Sequence, residues 1–308
     1  MKKRIQDKCL SVSDGAVIRG LIPRAFLCVF VAVGFIFGAP LFADFAAPGV
    51  SLWPVSRCVV ASAGAPYRYS ATVQSGASSY NREYYLIAPG APKALLWVFH
   101  GYKPDDDKYL QSPEIFIEKW KLAQISEKYR IAVLIVDTGT TVYPYKVGKG
   151  LSEMQQLRDI YRAAVEAKYG ALPVITVGVS TGAEGAVKIA PLVAGVRTVI
   201  GISGTYNYGT LPEGGEKNLH TSQYGSPAGW RGEAPADVFA SASIPRVVII
   251  SEEKSMYRAQ MNAVMSSSYS AKIQCRAEIG AGHSHNWAFW GDRSVTGIIE
   301  EEIQKVIR

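Results

Sequence analysis

Residues Gly178-Val179-Ser180-Thr181-Gly182 set a serine between two glycines, directly after an apolar, β-branched run and just before a stretch rich in small residues. That pattern suits a hydroxyl nucleophile carried on a strand-to-helix bend so tight that flanking side chains would strike neighbouring backbone. Gly178 and Gly182 are read as the residues that make the bend possible. The bend also sets Ser180 at the start of a helix, where free amides and the helix dipole favour the negative charge that develops on an attacked carbonyl oxygen. The Thr181 amide is the natural donor to that oxygen. The plainer alternative is a serine that caps an ordinary helix beside two packing glycines.

A serine hydroxyl is a weak nucleophile until a positioned imidazole takes its proton. The chain has four histidines. One opens His100-Gly101-Tyr102, directly after the apolar run 94–99, in a loop that a parallel sheet would turn toward Ser180. We read the Tyr102 amide as a second donor to the oxyanion and His100 as a structural residue of the loop. Two more lie late in the chain, in Gly280-Ala281-Gly282-His283-Ser284-His285-Asn286-Trp287-Ala288-Phe289-Trp290. His283 and His285 alone could suggest metal ligands. No third ligand lies near them, and no metal or other cofactor is expected.

The order of a strand with His-Gly, a serine elbow and a Gly-rich loop carrying H-x-W-x-x-W resembles the esterase family that includes esterase D-type and antigen 85-type enzymes. The likeness spans about residues 80–292. It implies an α/β-hydrolase fold and a base at His285, the residue that opens the motif, with Trp287 and Trp290 packed behind it and His283 as the fallback. It also implies an acidic residue that orients the base. The family commonly carries Asp about where this chain has Lys254, which leaves Glu253 or Glu252 of Ser251-Glu252-Glu253-Lys254 to substitute. The resulting expectation is hydrolysis of a small ester or related acyl compound through an acyl-enzyme on Ser180. The rival readings are an acyltransferase of the same fold and a catalytically silent binding or envelope protein that retains it, the latter suggested by the departure at Lys254.

These residues need a scaffold, and the hydrophobic periodicity supplies one. Short apolar runs at 68–73, 83–87, 94–99, 131–136, 174–179, 198–202, 246–250 and 273–279 alternate with helical periods at 115–129, 152–169, 183–192, 257–267 and 295–307. That alternation predicts an α/β architecture: a mostly parallel eight-stranded sheet flanked by helices. The stretch from about 204 to 241, rich in Gly, Pro, Tyr and Asn, predicts a loop-rich lid insertion. Its aromatic residues Tyr206, Tyr208, Tyr224 and Trp230, with Tyr143 and Tyr145, are read one by one as packing residues. Asp105-Asp106-Asp107 reads as a solvated turn.

At 308 residues, 48% hydrophobic and 19% charged, the chain can bury a core the size of an enzyme domain. Residues 1–43 stand apart. Lys2, Lys3, Arg4, Lys8, Arg19 and Arg24 precede an almost unbroken apolar run over 25–43, the pattern of a signal peptide or an N-terminal membrane anchor, and an exported catalytic part follows from either. Residues 44–64 read as a linker and 65–308 as the domain. Without the first 43 residues the balance is 27 basic to 24 acidic, so the basic character belongs to the export segment and no nucleic-acid partner is expected. Cys58 and Cys275 remain beyond that segment, and an exported setting leaves open whether they pair.

Overall fold

The computed structural model describes residues 57–62, 67–102, 111–139, 143–144, 152–225, 229–241, 244, 246–253, 255–266, 274–280 and 285–308. Residues 1–43, Asp105, Asp106, Asp107, Tyr145, Lys254 and His283 lie outside them. Among the described residues no helix is long and apolar enough to cross a membrane.

The strands are β1 (Arg57–Ser62), β2 (Arg68–Ser75), β3 (Ser78–Ile87), β4 (Leu95–Phe99), β5 (Ala132–Val136), β6 (Val174–Val179), β7 (Val196–Ile202), β8 (Arg246–Glu252) and β9 (Gln274–Gly280). They form one nine-stranded sheet in the order β1-β2-β3-β5-β4-β6-β7-β8-β9. The pairs from β5 through β9 are parallel, while β1, β2 and β3 pair antiparallel at one edge. Eight strands follow the sequence expectation. The ninth, β1, falls inside the segment 44–64 that composition marks as a linker. Cys58 on β1 and Cys275 on β9 therefore sit on opposite edges, eight strand spacings or roughly 35 Å apart. That excludes a disulfide within one chain, which needs Cα atoms within about 7 Å, and Cys58 is a free thiol.

The helices are α1 (Pro113–Lys119), α2 (Leu122–Tyr129), α3 (Glu153–Tyr161), α4 (Ala167–Tyr169), α5 (Thr181–Ile189), α6 (Gly215–Tyr224), α7 (Pro235–Ser241), α8 (Met256–Ser266), α9 (Trp287–Trp290) and α10 (Arg293–Ile307). The period read as one helix over 115–129 is broken in two at Lys121, whose φ of +51° no helix interior accepts. The 152–169 period is continuous but passes through a π-helical turn at Arg162–Glu166. It opens on a capping box, in which the Gln155 amide donates to Ser152 Oγ at 3.2 Å and the Ser152 amide to Gln155 Oε1 at 2.8 Å.

Strands buried on both faces need apolar residues at every position, and β4, β5 and β6 are buried throughout. Alternate residues feed two cores. Trp97, Phe99, Val174, Val247 and Ile249 pack with α3, α5, α7 and α8; Val98, Val177, Val179, Val248 and Ile250 pack with α1, α2, α9 and α10. The chain runs from β4 to β5 on one side and returns to β6 on the other. The carboxyl ends of β4 and β6 thus border the switch point where open α/β sheets leave a crevice.

Candidate active site

Ser180 lies between β6 and α5 with φ +56° and ψ −127°, a backbone conformation that L-residues rarely hold. The glycines on either side explain how the bend closes. A Cβ on Gly178 would stand 1.9 Å from the Gly182 carbonyl oxygen, and one on Gly182 would stand 2.2 Å from the Phe99 carbonyl oxygen. The second contact is with the neighbouring strand, since Phe99 pairs with Gly178 across β4 and β6. The hydroxyl makes no cap hydrogen bond to α5, which removes the reading of Ser180 as an ordinary helix cap.

That hydroxyl instead meets His285, with Ser180 Oγ and His285 Nε2 3.1 Å apart. The other imidazole nitrogen, Nδ1, lies 3.1 Å from Glu252 Oε1. A carboxylate only accepts, so Nδ1 carries the proton in the neutral ring and Nε2 is left to accept from the serine. Glu252, the last residue of β8, is fully buried. Burial opposes its charge, but hydrogen bonds from His285, a backbone amide and Ser203 outweigh that and hold the carboxyl below its ordinary titration range. Ser203 Oγ donates to Glu252 Oε1 at 2.7 Å and Ser255 Oγ to Glu252 Oε2 at 3.2 Å. Glu253, the other acidic candidate, is exposed and takes no part.

Of the tryptophans of the H-x-W-x-x-W segment, Trp290 packs on His285 and Trp287 packs against Trp290. Trp290 presents its ring at 90° to the imidazole, centroids 4.8 Å apart, and its Nε1 donates to Ser203 Oγ at 3.2 Å. Trp287 packs against Phe116 at 4.8 Å and against Trp290 at 5.7 Å. Trp120 Nε1 ties α1 to this corner by donating to the Trp290 carbonyl at 2.8 Å. Tyr257 stacks on the His285 ring with centroids 4.2 Å apart, a contact that the sequence reading missed. Nothing in the Met256–Ser266 period distinguishes Tyr257 from a core residue. Ser203, also missed, had a positional signal: it directly follows β7, between the strands that carry Ser180 and Glu252.

The loop after β4 abuts the bend. A Cβ on Gly101 would stand 3.0 Å from the Val179 carbonyl oxygen, and the Gly101 amide donates to Gln111 Oε1 at 3.1 Å. Half-buried Tyr102 follows, and Thr181 is the first residue of α5, where amides lack intrahelical acceptors. His100 is fully buried and structural. The Thr138 amide donates to its Nε2 at 2.9 Å, so Nδ1 holds the proton and donates to the Gly101 carbonyl at 2.7 Å. Tyr143 donates to the His100 carbonyl at 2.6 Å, and Tyr206, Tyr208 and Trp230 are likewise buried. Among the described residues no cluster of His, Cys, Asp or Glu could hold a metal.

No protein-family model matches the sequence, and no curated protein matches it. Solved structures do match by shape. An S-formylglutathione hydrolase (FrmB) from Staphylococcus aureus superposes with a TM-score of 0.57 at 13% identity, covering 82% of this chain and 100% of that one. The chain has the α/β-hydrolase fold. The fluorophosphonate-binding serine hydrolase FphF of Staphylococcus aureus follows at TM-score 0.56 and 14% identity, over 83% of this chain and 99% of that one. A ferulic acid esterase matches at TM-score 0.55 and 12% identity, over 82% and 99%. At these identities the shared property is the fold, with its carboxyl-edge crevice occupied here by Ser180, His285 and Glu252.

Proposed function

We propose that this protein is an exported serine hydrolase that cleaves a small carboxylic ester, or a related acyl compound, by two-step acyl transfer through Ser180. The observation that carries this reading is the continuous chain from Ser180 Oγ through His285 to Glu252, with the hydroxyl on a positive-φ bend. His285 Nε2 takes the serine proton as Oγ attacks the acyl carbon. The amides of Thr181 and Tyr102 receive the charge on the carbonyl oxygen, and the imidazolium returns its proton to the departing alcohol. Water then cleaves the acyl-enzyme by the same base. Glu252 keeps Nδ1 protonated and balances the cation, so the absence of an acidic residue at Lys254 ceases to argue for a silent protein. Fold neighbours described as S-formylglutathione hydrolase and ferulic acid esterase support an ester substrate. Export rests on the basic-then-apolar pattern of residues 1–43.

The test is a fluorophosphonate probe on the protein from Asp44 onward, with a screen of acyl, aromatic and acetylated-sugar esters. A covalent adduct at Ser180 and turnover of at least one ester class are expected. Ser180→Ala should lose on the order of 10³-fold or more in kcat while keeping its unfolding midpoint. Folded protein that takes no adduct, or a Ser180→Ala variant with full turnover, removes the reading.

A further inference from the structure

Hydrogen bonds at both nitrogens hold the ends of the His285 ring, but they leave it free to tilt about the line that joins them. Contacts on its faces and edges decide that tilt. Tyr257 lies flat against one face, ring centroids 4.2 Å apart and planes within 16°, while Trp290 stands at right angles to it. Tyr257 is the second residue of α8 and only 6% exposed. It follows Glu252 by five residues, with Ser255, a hydrogen-bond partner of Glu252, between them. One short connection, from the end of β8 into α8, therefore supplies both the acid and the platform.

We propose that Tyr257 is a positioning residue of the acyl-transfer site, whose stacked ring keeps the imidazole in the plane of the Ser180–Glu252 chain and stabilises its cationic form. This rests on the serine-hydrolase reading above. The imidazole is neutral before attack and cationic while the tetrahedral intermediate exists. A π-face within about 6 Å of a cation attracts it more strongly than the neutral ring. An interaction that strengthens on the way to the transition state raises kcat rather than lowering KM. Among the described residues, the groups that bear on the imidazole are the Glu252 carboxylate from β8, the Ser180 hydroxyl at the start of α5, the Tyr257 ring from α8 and the Trp290 ring from α9. Glu252 alone of these carries charge at neutral pH. Ring stacking, not the phenol, is what the proposal uses.

Tyr257→Phe keeps the stack, and Tyr257→Leu removes it while keeping an apolar side chain at the position. With an activated ester as substrate, the Phe variant should stay within about twofold of wild type in kcat. The Leu variant should lose roughly tenfold in kcat at unchanged KM, with the acid limb of its pH–rate profile displaced by about half a unit toward lower pH. Should the Leu variant not fold, Tyr257→Met takes its place. NMR titration of the His285 imidazole in the same proteins reads the displacement without turnover. A folded wild type that neither reacts with fluorophosphonate nor turns over any ester overturns the hydrolase reading, and the NMR series still decides the stack. A Leu variant with wild-type kcat and an unmoved titration overturns the proposal. So does equal impairment of the Phe and Leu variants.

Discussion

Helix α5 separates two Glu–His pairs of nearly equal contact distance, one through Nδ1 and the other through Nε2, and of different use. At its N-terminal end His285 meets Glu252 at 3.1 Å; one turn along, His220 of α6 meets Glu184 at 3.0 Å. Both carboxylates are fully buried, but the His285 side chain is 30% exposed and the His220 side chain 0%. His285 has a serine hydroxyl on its second nitrogen. Around the Glu184 pair are Tyr208, which donates to Glu184 and packs 4.2 Å from His220, and the buried Lys188–Glu233 ion pair at 3.1 Å. A carboxylate–imidazole hydrogen bond is thus not chemistry in itself. It becomes reactive where a nucleophile and an open side complete it, and where every partner is buried it serves as a fastener. This second cluster pins α6 to the helix that begins at the nucleophile.

The largest expected effects break the first pair. Glu252→Gln replaces an obligate acceptor with an amide that can donate, so the imidazole can turn its proton to Nε2, where it cannot take one from Ser180. A loss of roughly 10³- to 10⁴-fold in kcat is expected, with little change in fold, read by ester turnover and circular dichroism. Breaking the second cluster should do the reverse. Lys188→Met removes the ammonium partner of Glu233 in a site without water contact, and about 3–5 kcal/mol of stability should go with it. Chemical denaturation measures that loss, and kcat of the remaining folded fraction should be close to wild type. If Lys188→Met instead abolished turnover in folded protein, the two regions would not be separable.

Acid sharpens the same contrast. The Glu252 carboxyl titrates below its ordinary value of 4.5 because its hydrogen bonds outweigh burial. A group depressed in this way contributes stability that is complete above the ordinary value and is lost as pH falls through the native one. The stability that the Glu252 carboxylate contributes, read as the difference between wild type and Glu252→Gln, should therefore shrink as pH falls below 4.5. Denaturation midpoints across that range check it, and a difference that grows with acid would reverse the assignment.

The serine bend and the histidine loop left marks in the sequence, with the acid open between Glu252 and Glu253, and the fastening cluster left none, for a physical reason. A nucleophile on a tight bend demands glycines at set positions, and the Trp residues beside His285 leave a spaced motif. The β6 boundaries were legible because a doubly covered strand excludes polar residues. Helix α6, by contrast, fully buries only His220 among its described side chains, with Leu219 and Tyr224 partly buried, so the residue that anchors it is polar and hydrophobic patterning does not register it. Strand β1 pairs on one side only and leaves Val59 58% exposed, so Ala, Ser and Cys suffice there and the composition resembles a tether. The break at Lys121 has no sequence mark, since neither Gly nor Pro makes it.

The smallest expected effect tests the choice between adjacent acids. Strand parity sends alternate side chains of β8 to opposite faces. Val248 and Ile250 join the core that contains Phe289 and Trp290, and Val247 and Ile249 join the other. Glu252 continues the first series and arrives beneath His285; Glu253, beyond the strand, reaches solvent. The alternation was visible in the sequence, but which face held the tryptophans was not, so both glutamates remained candidates. Glu253→Gln should change kcat by less than about twofold and stability by less than about 0.5 kcal/mol. Turnover and denaturation of this variant beside Glu252→Gln read the pair directly. Equal losses in the two would mean that the acidic turn acts through net charge, and a larger loss at Glu253 would place the orienting carboxylate one residue later.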